Sequence, residues 1–498
     1  MKLKQLNQLP DRLYDAEAVR KLDSIAIHDF HISGYELMKR AGKVVFRHLQ
    51  NRYPLANKIL VVCGAGNNAG DGYVIAKLAM QAGLKVNVVS LIDVKDLQGD
   101  AKMAWKDWHS LSHQLVSFTA QRVDEADVVI DAMLGTGLSR DVVGEWAETI
   151  EQINASQRPV IAVDIPSGLC ADTGRIAGHA IQASSTVTFI GLKKGLFTHH
   201  GVDCSGEIQF DDLSIPPEVY QHQAAQAELL DWSVLRKQLK NRPYSSHKHQ
   251  FGHLLVLGGD QGMPGAVRMA AEAALRCGAG LVTVVTHAEH LAVILDGRPE
   301  LMVCATADGH VSSELLGKAS AIVVGPGMTD SLWSRNLLSA ALQTRVPKLI
   351  DAGALRLLSE QDDGRRDDWV LTPHPGEAAG LLDEPPAAIQ DSRFSAVELL
   401  QQTYGGHIIL KGAGSLLQSP TGLSQLCPYG NPGMASAGMG DVLSGVIGSL
   451  LAQGYDTQLA AQLGLCMHSL SADIAAKEGV IGLLASDLFT PLRQLVNS

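Results

Sequence analysis

Four short stretches carry residue types that do chemistry: NNAGD at 67–71, IDAMLGTGLSRD at 130–141, VDIPSG at 163–168 and ASAGMGD at 435–441. The Asn68 amide oxygen, the Asp131 carboxylate and the Ser167 hydroxyl are hard oxygen donors. They suit a main-group cation rather than zinc or copper. Gly135, Thr136 and Gly137 are expected to bring backbone N–H groups to a phosphate at a helix start. That leaves Asp164 free to move a proton. Pro166 and Gly168 are expected to turn the chain sharply after it and aim its carboxylate outward. Each cluster also reads plainly as a helix cap or a tight turn. Three of them on one sheet rim are harder to dismiss together.

The first stretch lies between an apolar run, KILVVCG, and a helix-patterned segment, YVIAKLAMQAG. Gly64, Gly66 and Gly70 are spaced G-x-G-x-x-x-G, which is not the G-x-G-x-x-G of a dinucleotide fold. The next strand candidate, KVNVVSL, ends in Ser90 and Leu91, where a ribose-binding acid is expected. The segment is therefore not read as a site for intact NAD. In the fourth stretch Gly438 and Gly440 precede Asp441, and an amphipathic helix is expected to start at once. Backbone N–H groups there form an anion hole, and glycines allow a phosphoryl group close approach. An acid beside an anion hole repels phosphate. It makes sense as a base that takes a proton from a hydroxyl attacking the phosphoryl group. A simple helix cap is the alternative.

Buried parallel strands must position these groups. KILVVCG, KVNVVSL, DVVIDAML, PVIAVDIPSG and STVTFIG are apolar throughout rather than alternating. Asp131 and Asp164 are about one βαβ unit apart. Ligands of a doubly wound sheet sit outside the carboxyl ends of its strands, which puts the first three clusters on one rim. Helices are expected around DAEAVRKLDSIAIHDF and ELMKRAGKVVFRHL. The pattern breaks between residues 211 and 245, where DDLSIPPEVYQHQAAQAE shows no strand. Strands resume at GHLLVLGGD, GLVTVVTH, SAIVVGPG, PKLIDAG, WVLTPHPGE and HIILKGAG, and two long helices close the chain. The domains are drawn at 1–225 and 226–498, both α/β.

The bulk composition excludes several classes. The chain has 498 residues, 46% of them apolar, and a formal net charge of −11. No basic stripe for nucleic acid, no apolar h-region and no run long enough for a membrane span is present. The seven cysteines include no C-x-x-C and read as reduced residues of a cytoplasmic protein. The histidines of SSHKHQFGH and FTHHG lack zinc spacing.

NNAGDG, DAMLGTG and VDIPSG, with the earlier ELMKRAG, resemble the NAD(P)H-hydrate epimerase domain over roughly residues 10–225. The resemblance implies a Rossmann-like fold that interconverts the C6 epimers of hydrated nicotinamide nucleotides (NADHX and NADPHX). It implies potassium at Asn68, Asp131 and Ser167. It implies substrate contacts from Asn67, Asn68, Ala69, Gly70 and Asp71, from Gly135, Thr136, Gly137, Leu138, Ser139, Arg140 and Asp141, and from Asp164. The usual motif is NNGGDG. The Cβ of Ala69 is expected to restrict positive φ there and alter how the loop closes.

G-x-G-D before a late helix resembles the ribokinase-like superfamily. GGDQGMPGAVRMAAEAALRCGAGLV, TPHPGE and KGAGS narrow this to NAD(P)H-hydrate dehydratases over roughly residues 235–495. The resemblance implies phosphorylation of the added hydroxyl from ADP with Mg²⁺, release of AMP, and loss of phosphate to restore the dihydronicotinamide. It implies that Ala266, Gly327, His374 and Asp441 touch the hydrated nucleotide. Lys411, Gly412, Ala413, Gly414, Ser415 and Gly440 are implied to bind the AMP moiety. His374 lies between two prolines, so its stiff backbone either orients substrate or serves the fold. Thr329 stands in GPGMTD where the family has G-P-G-L-G. The whole reads as a fused repair enzyme, and a homo-oligomer is expected. The alternatives are a vitamin or sugar kinase with a regulatory N-terminal domain, and a non-catalytic N-terminal binding module.

Overall fold

The computed structural model describes residues 9–111, 113–138, 140–360 and 365–498. The chain divides into two compact units, 1–228 and 229–498. Among the described residues no helix is long and apolar enough to cross a membrane.

The first unit opens with β1 (Arg12–Tyr14), α1 (Ala16–His28) and α2 (Gly34–Arg52). Asp15 and Ser33 start the two helices, each side chain accepting from a backbone N–H of the first turn. Next come β2 (Lys58–Cys63), α3 (Gly66–Gln81), β3 (Lys85–Ser90), β4 (Val128–Ala132), β5 (Val160–Val163) and β6 (Ser185–Phe189), then β7 (Leu192–Lys193) and β8 (Glu207–Asp211). The five expected strands are β2 to β6. They pair in the order β3-β2-β4-β5-β6-β8, all parallel. The chain runs outward in one direction from β2 to β3 and in the other from β4 onward. A crevice therefore opens beyond the carboxyl ends of β2 and β4. The strands that escaped the sequence pattern are β8 and three short ones: β1 pairs parallel with β7, and antiparallel with β9 (Ala227–Leu229). β9 begins inside the stretch expected to hold no strand. It spans three residues, too few for any periodic signal.

The helix after β2 starts earlier than expected. α3 begins at Gly66 rather than Tyr73, so Asn67 to Asp71 form its first turns instead of a loop. Ala69 is helical and buried, and positive φ belongs to Gly66. The motif's extra Cβ therefore meets no backbone restriction. A Cβ on Gly72 would stand 2.7 Å from Ala132 Cβ and 2.8 Å from Cys63 Sγ, so the helix lies hard against β2 and β4.

The second unit carries β10 (His253–Leu257), α4 (Pro264–Arg276), β11 (Leu281–His287), β12 (Met302–Thr306), β13 (Ala321–Val324), β14 (Lys348–Ile350), β15 (Trp369–Leu371) and α5 (Pro375–Leu382). It ends with β16 (His407–Leu410), β17 (Leu416–Gln418), β18 (Ser424–Leu426), α6 (Met439–Ala452) and α7 (Thr457–Ala475). The order is β12-β11-β10-β13-β14-β15-β16-β17-β18. It is parallel through β16, and β17 and β18 add antiparallel. α6 corrects one expectation. It is not amphipathic but buried on nearly every side, from Val442 through Ala452. It packs on α4, α7 and the sheet, and small residues let it in. A Cβ on Gly445 would meet the Ala270 carbonyl at 2.0 Å, and one on Gly448 would meet Val323 at 2.3 Å.

Gly445 tests this packing. Alanine gains about 1 kcal/mol of helix propensity, but here it collides with backbone, and overpacking costs about 1–3 kcal/mol. The steric cost wins because the Ala270 carbonyl cannot rotate away. Gly445→Ala is expected to lower the urea midpoint of the second unit without changing the slope of its transition. An unchanged or higher midpoint contradicts the close approach.

Candidate active sites

In the first unit a cavity of about 670 Å³ lies on the β2/β4 crevice and draws on several chain segments. It brings together Asn67, Asn68, Asp71, Gly135, Thr136, Gly137, Leu138, Arg140 and Asp164. Ala69 and Gly70 point away from it into the core, Gly70 against Met38. Asp141 is exposed and stands 4.0 Å from Arg175. Ser139 lies outside the described residues. Residues 135–137 belong to a turn and not to a helix start, because the next helix begins only at Glu145.

Asn68, Asp131 and Ser167 converge on Leu134. Asn68 Nδ2 donates to the Leu134 carbonyl at 3.0 Å, and the Leu134 N–H donates to Ser167 Oγ at 2.8 Å. Asp131 accepts from the Ser167 N–H at 2.8 Å, from Ser167 Oγ at 2.5 Å and from the Met133 N–H at 3.2 Å. It is 0% exposed, and burial pushes its carboxyl up to about 6 against those hydrogen bonds. Asn68 Oδ1 is buried and has no partner. An orphaned amide oxygen, a buried carboxylate, a hydroxyl and a carbonyl form an all-oxygen donor set that fits a hard monovalent cation.

Asp164 departs from its expected setting. It takes a left-handed backbone, φ 67°, and its carboxylate, which lines the cavity, is paired rather than free. Lys193 donates to it, as do Thr188 Oγ1 and the Phe189 N–H, each of these two at 3.2 Å. The Lys193 side chain is 1% exposed and also reaches Thr188 Oγ1 and the Phe189 carbonyl at 3.0 Å. Asp71 and Asp23 stand near enough to feel the same charges. Burial pushes both carboxyls up, Asp23 to about 6, with Asp164 raising and Lys193 lowering each. Lys193 and Asp23 escaped sequence reasoning. Both leave a trace there: a lysine closes the apolar run STVTFIGLK, and an acid sits four residues from both Val19 and Ile27 on the apolar stripe of α1.

The second unit assembles its site at the ends of β14, β15 and β16 and the start of α6. Lys411 Nζ contacts Asp351 at 2.8 Å and Glu377 at 3.5 Å. Ser444 of α6 donates to Asp351 at 2.6 Å. Burial disfavours the charges of Asp351 and Lys411, and their mutual attraction outweighs it in both directions. A Cβ on Gly440 would stand 3.5 Å from Lys411 Nζ, so Lys411 and the helix start face each other. Gly438 supplies the left-handed residue before α6, φ 88°. Asp441 lies in the first turn. Burial, with Asp351 behind it, pushes its carboxyl up to about 7, although Lys411 pulls the other way.

The remaining residues surround this point. His374 caps α5, its Nδ1 accepting from the Glu377 N–H at 3.1 Å while Glu377 accepts from the His374 N–H at 2.7 Å. Gly412 and Gly414 are left-handed, and Ser415 Oγ donates to the Gly412 carbonyl at 3.0 Å. That makes residues 412–415 a tight loop, with Ala413 exposed. Ala266 lies in the first turn of α4. A Cβ on Gly327 would stand 2.8 Å from the carbonyl of Met263, which caps that helix. Thr329, the departure from the motif, donates its hydroxyl to buried Asp260, joined there by Ser331 at 2.6 Å and Ser334 at 3.1 Å. The sequence did not point to Asp351 or Glu377. Each is a lone acid, recognisable only once Lys411 stands between them.

These two constellations on two parallel α/β frameworks define a two-domain enzyme with a ribokinase-like second domain. Residues 34–195 match the model of the YjeF-related protein N-terminus, and residues 254–494 match that of NAD(P)H-hydrate dehydratase. The chain is 44% identical to the bifunctional NAD(P)H-hydrate repair enzyme Nnr of Coxiella burnetii, over 97% of this chain and 99% of that one. It is 40% identical to the enzyme of the same name from Escherichia coli, over 98% and 95%. A ribokinase-like superfamily protein from Enterococcus faecalis superposes with a TM-score of 0.51 at 27% identity, covering 55% of this chain and 96% of that one. The chain belongs to the family of bifunctional NAD(P)H-hydrate repair enzymes. Membership decides against the kinase alternative.

Asp441 generates a stability prediction. Its folded carboxyl holds a proton that the unfolded chain releases, so stability falls as pH rises from about 4 to about 7. The full effect is on the order of 4 kcal/mol. Asp441→Asn removes it. The variant is expected to melt higher than wild type at pH 8, with the gain vanishing near pH 4. Equal melting temperatures at pH 8 contradict the desolvated setting.

Proposed function

We propose that the first unit interconverts the C6 epimers of NADHX and NADPHX, and that the second restores NAD(P)H from the S epimer. In the second unit ADP phosphorylates the added hydroxyl, AMP departs, and phosphate then leaves as the ring-nitrogen lone pair moves in. Hydroxide is a poor leaving group and phosphate a good one. The observation that carries this reading is Asp441. It sits in the first turn of a helix whose N–H groups are open to a phosphoryl group, and its proton affinity lies near neutrality. Lys411 faces the same point and would hold phosphate oxygens. Asp351 fixes Lys411 and keeps it charged. The loop 412–415 would carry the nucleotide, with Gly440 leaving room beside it. Ala266, Gly327 and His374 would hold the hydrated ring.

Three carboxylates near one lysine are too acidic a surface for a bare diphosphate. Among the described residues no group of three His, Cys, Asp or Glu side chains forms a metal cage. Mg²⁺ would therefore arrive on the phosphates, held by one or two carboxylates. In the first unit Asn68, Asp131 and Ser167 would hold potassium, which would fix the turn at 134–137 and offset the Asp131 charge. Asp164 would move the proton. The free state of all seven cysteines fits a reducing cytoplasm. A homo-oligomer is part of the same reading.

The direct test mixes the protein with both hydrate epimers and ADP. Recovery of dihydronicotinamide absorbance is followed while chromatography resolves the epimers. Clearance of both is expected. Unchanged hydrates together with clear turnover of ATP on common vitamin alcohols in a kinase assay would overturn the reading.

Two variants separate the sites. Asp441→Asn keeps shape and hydrogen bonding but cannot take the proton. Dehydration is expected to fall mainly in kcat, by about 10²–10⁴-fold, with ADP still bound and epimerisation unchanged. Asp131→Ala is expected to slow epimerisation by about 10–100-fold and to weaken its response to potassium. ADP-dependent repair of the S epimer should persist. Equal loss of both activities in a folded Asp131 variant contradicts the assignment.

A further inference from the structure

Epimerising a carbon that bears a hydroxyl takes two proton movements. The departing oxygen must gain a proton and the arriving one must lose a proton. Asp164 supplies only one carboxylate. We propose that Asp23 is the second catalytic carboxyl of the first site, protonating the C6 hydroxyl as it leaves while Asp164 takes a proton from the incoming water. The proposal rests on the epimerase reading above.

Asp23 lines the cavity together with Asp71, Asp164 and Lys193. It sits on α1 between Leu22 and Ala26, which are buried in the core. An acid on that stripe is a desolvated group, and a structural acid there would be hydrogen-bonded. Among the described residues no hydrogen bond acts on Asp23. Only burial, Lys193 and Asp164 do. Its oxygens are left for a ligand in the cavity.

The charged and titratable groups around it are Asp71 of α3, Asp164 after β5, Lys193 of β7 and the Tyr220 hydroxyl, with Arg20 beside it on its own helix and Asp100 and Arg140 elsewhere on the cavity wall. One lysine cannot keep three carboxylates ionised in a dry pocket. The ion pair goes to Asp164, which Lys193 touches directly. Asp71 is the most enclosed, and burial holds its carboxyl well above the usual range. Asp23, pushed up to about 6, gives and regains a proton near neutral pH. Paired carboxyls set apart by their surroundings assign acid and base.

The step balances. The C6–O bond breaks with its electron pair on oxygen, the Asp23 proton joins that oxygen, and water leaves. The ring-nitrogen lone pair forms the C=N bond of a planar cation. Water then adds to C6 on the other face, returning that pair to nitrogen, and its extra proton goes to Asp164. The protonation states of the two carboxyls are now exchanged, as the reverse conversion requires.

The test measures interconversion of purified epimers without ADP, resolved by chromatography, in the full-length protein. Asp23→Asn is expected to lose about 10²–10⁴-fold in rate, and Asp23→Glu to recover part of it. The wild-type rate should fall as pH rises through about 6, where Asp23 loses its proton. That fall should be absent from the residual activity of Asp23→Asn. Circular dichroism and a thermal melt report that each variant is folded, and ADP-dependent dehydration of the S epimer, an activity of the second unit, should match wild type. A folded Asp23→Asn within about threefold of wild type overturns the proposal, and so does a slow variant that keeps the alkaline fall. Wild-type protein that leaves the epimers unchanged overturns the epimerase reading, and this proposal with it.

Discussion

Each unit depends on a lysine ammonium buried against a carboxylate at the end of a parallel strand. Burying either charge alone costs several kcal/mol. Lys193 with Asp164, and Lys411 with Asp351, meet that cost by direct contact and by further hydrogen bonds to Thr188, Phe189 and Ser444. Once the pair is in place it sets the charge of its neighbours. Asp23 and Asp71 cannot share Lys193 fully, and Asp441 cannot share Lys411. Burial, with the paired acid adding to it, pushes their carboxyls up. One buried cation per site thus sets the acid it touches directly apart from the other acids around it.

Backbone geometry delivers these groups to their places. A left-handed glycine stands at the start of each helix that faces a site, Gly66 as the first residue of α3 and Gly438 just before α6. Each lets the chain turn from a strand end or loop into a helix whose first N–H groups remain open. Asp164 takes the same left-handed conformation without being glycine, a strained choice that its three hydrogen-bond donors hold in place.

The apolar runs made the parallel strands legible, because a strand buried on both faces shows no alternation. β2 to β6 in the first unit, and β10, β11, β13, β14, β15 and β16 in the second, fall where those runs predict. β1, β7 and β9 span two or three residues and left no pattern. β12 is half exposed, and its MVCAT lacks a clean apolar run. The start of α3 was misplaced because asparagine and glycine suggest loops, whereas here Asn68 is a helical residue directed into the site. Asn67, Asn68, Asp71, residues 135–138 and Asp164 do line one cavity, since strand ends share a rim by construction. Lys193, Asp23, Asp351 and Glu377 stayed hidden for a different reason. Their meaning lies in which charge each one faces, and facing is a property of the folded chain.

The burial of α6 has a consequence for motion. A helix with almost no solvent face cannot open on its own, because opening would strip α4, α7 and the sheet of their contacts together. Its amide protons should exchange only through unfolding of the entire second unit. Asp441, in its first turn, is thus mounted on an element that does not move by itself.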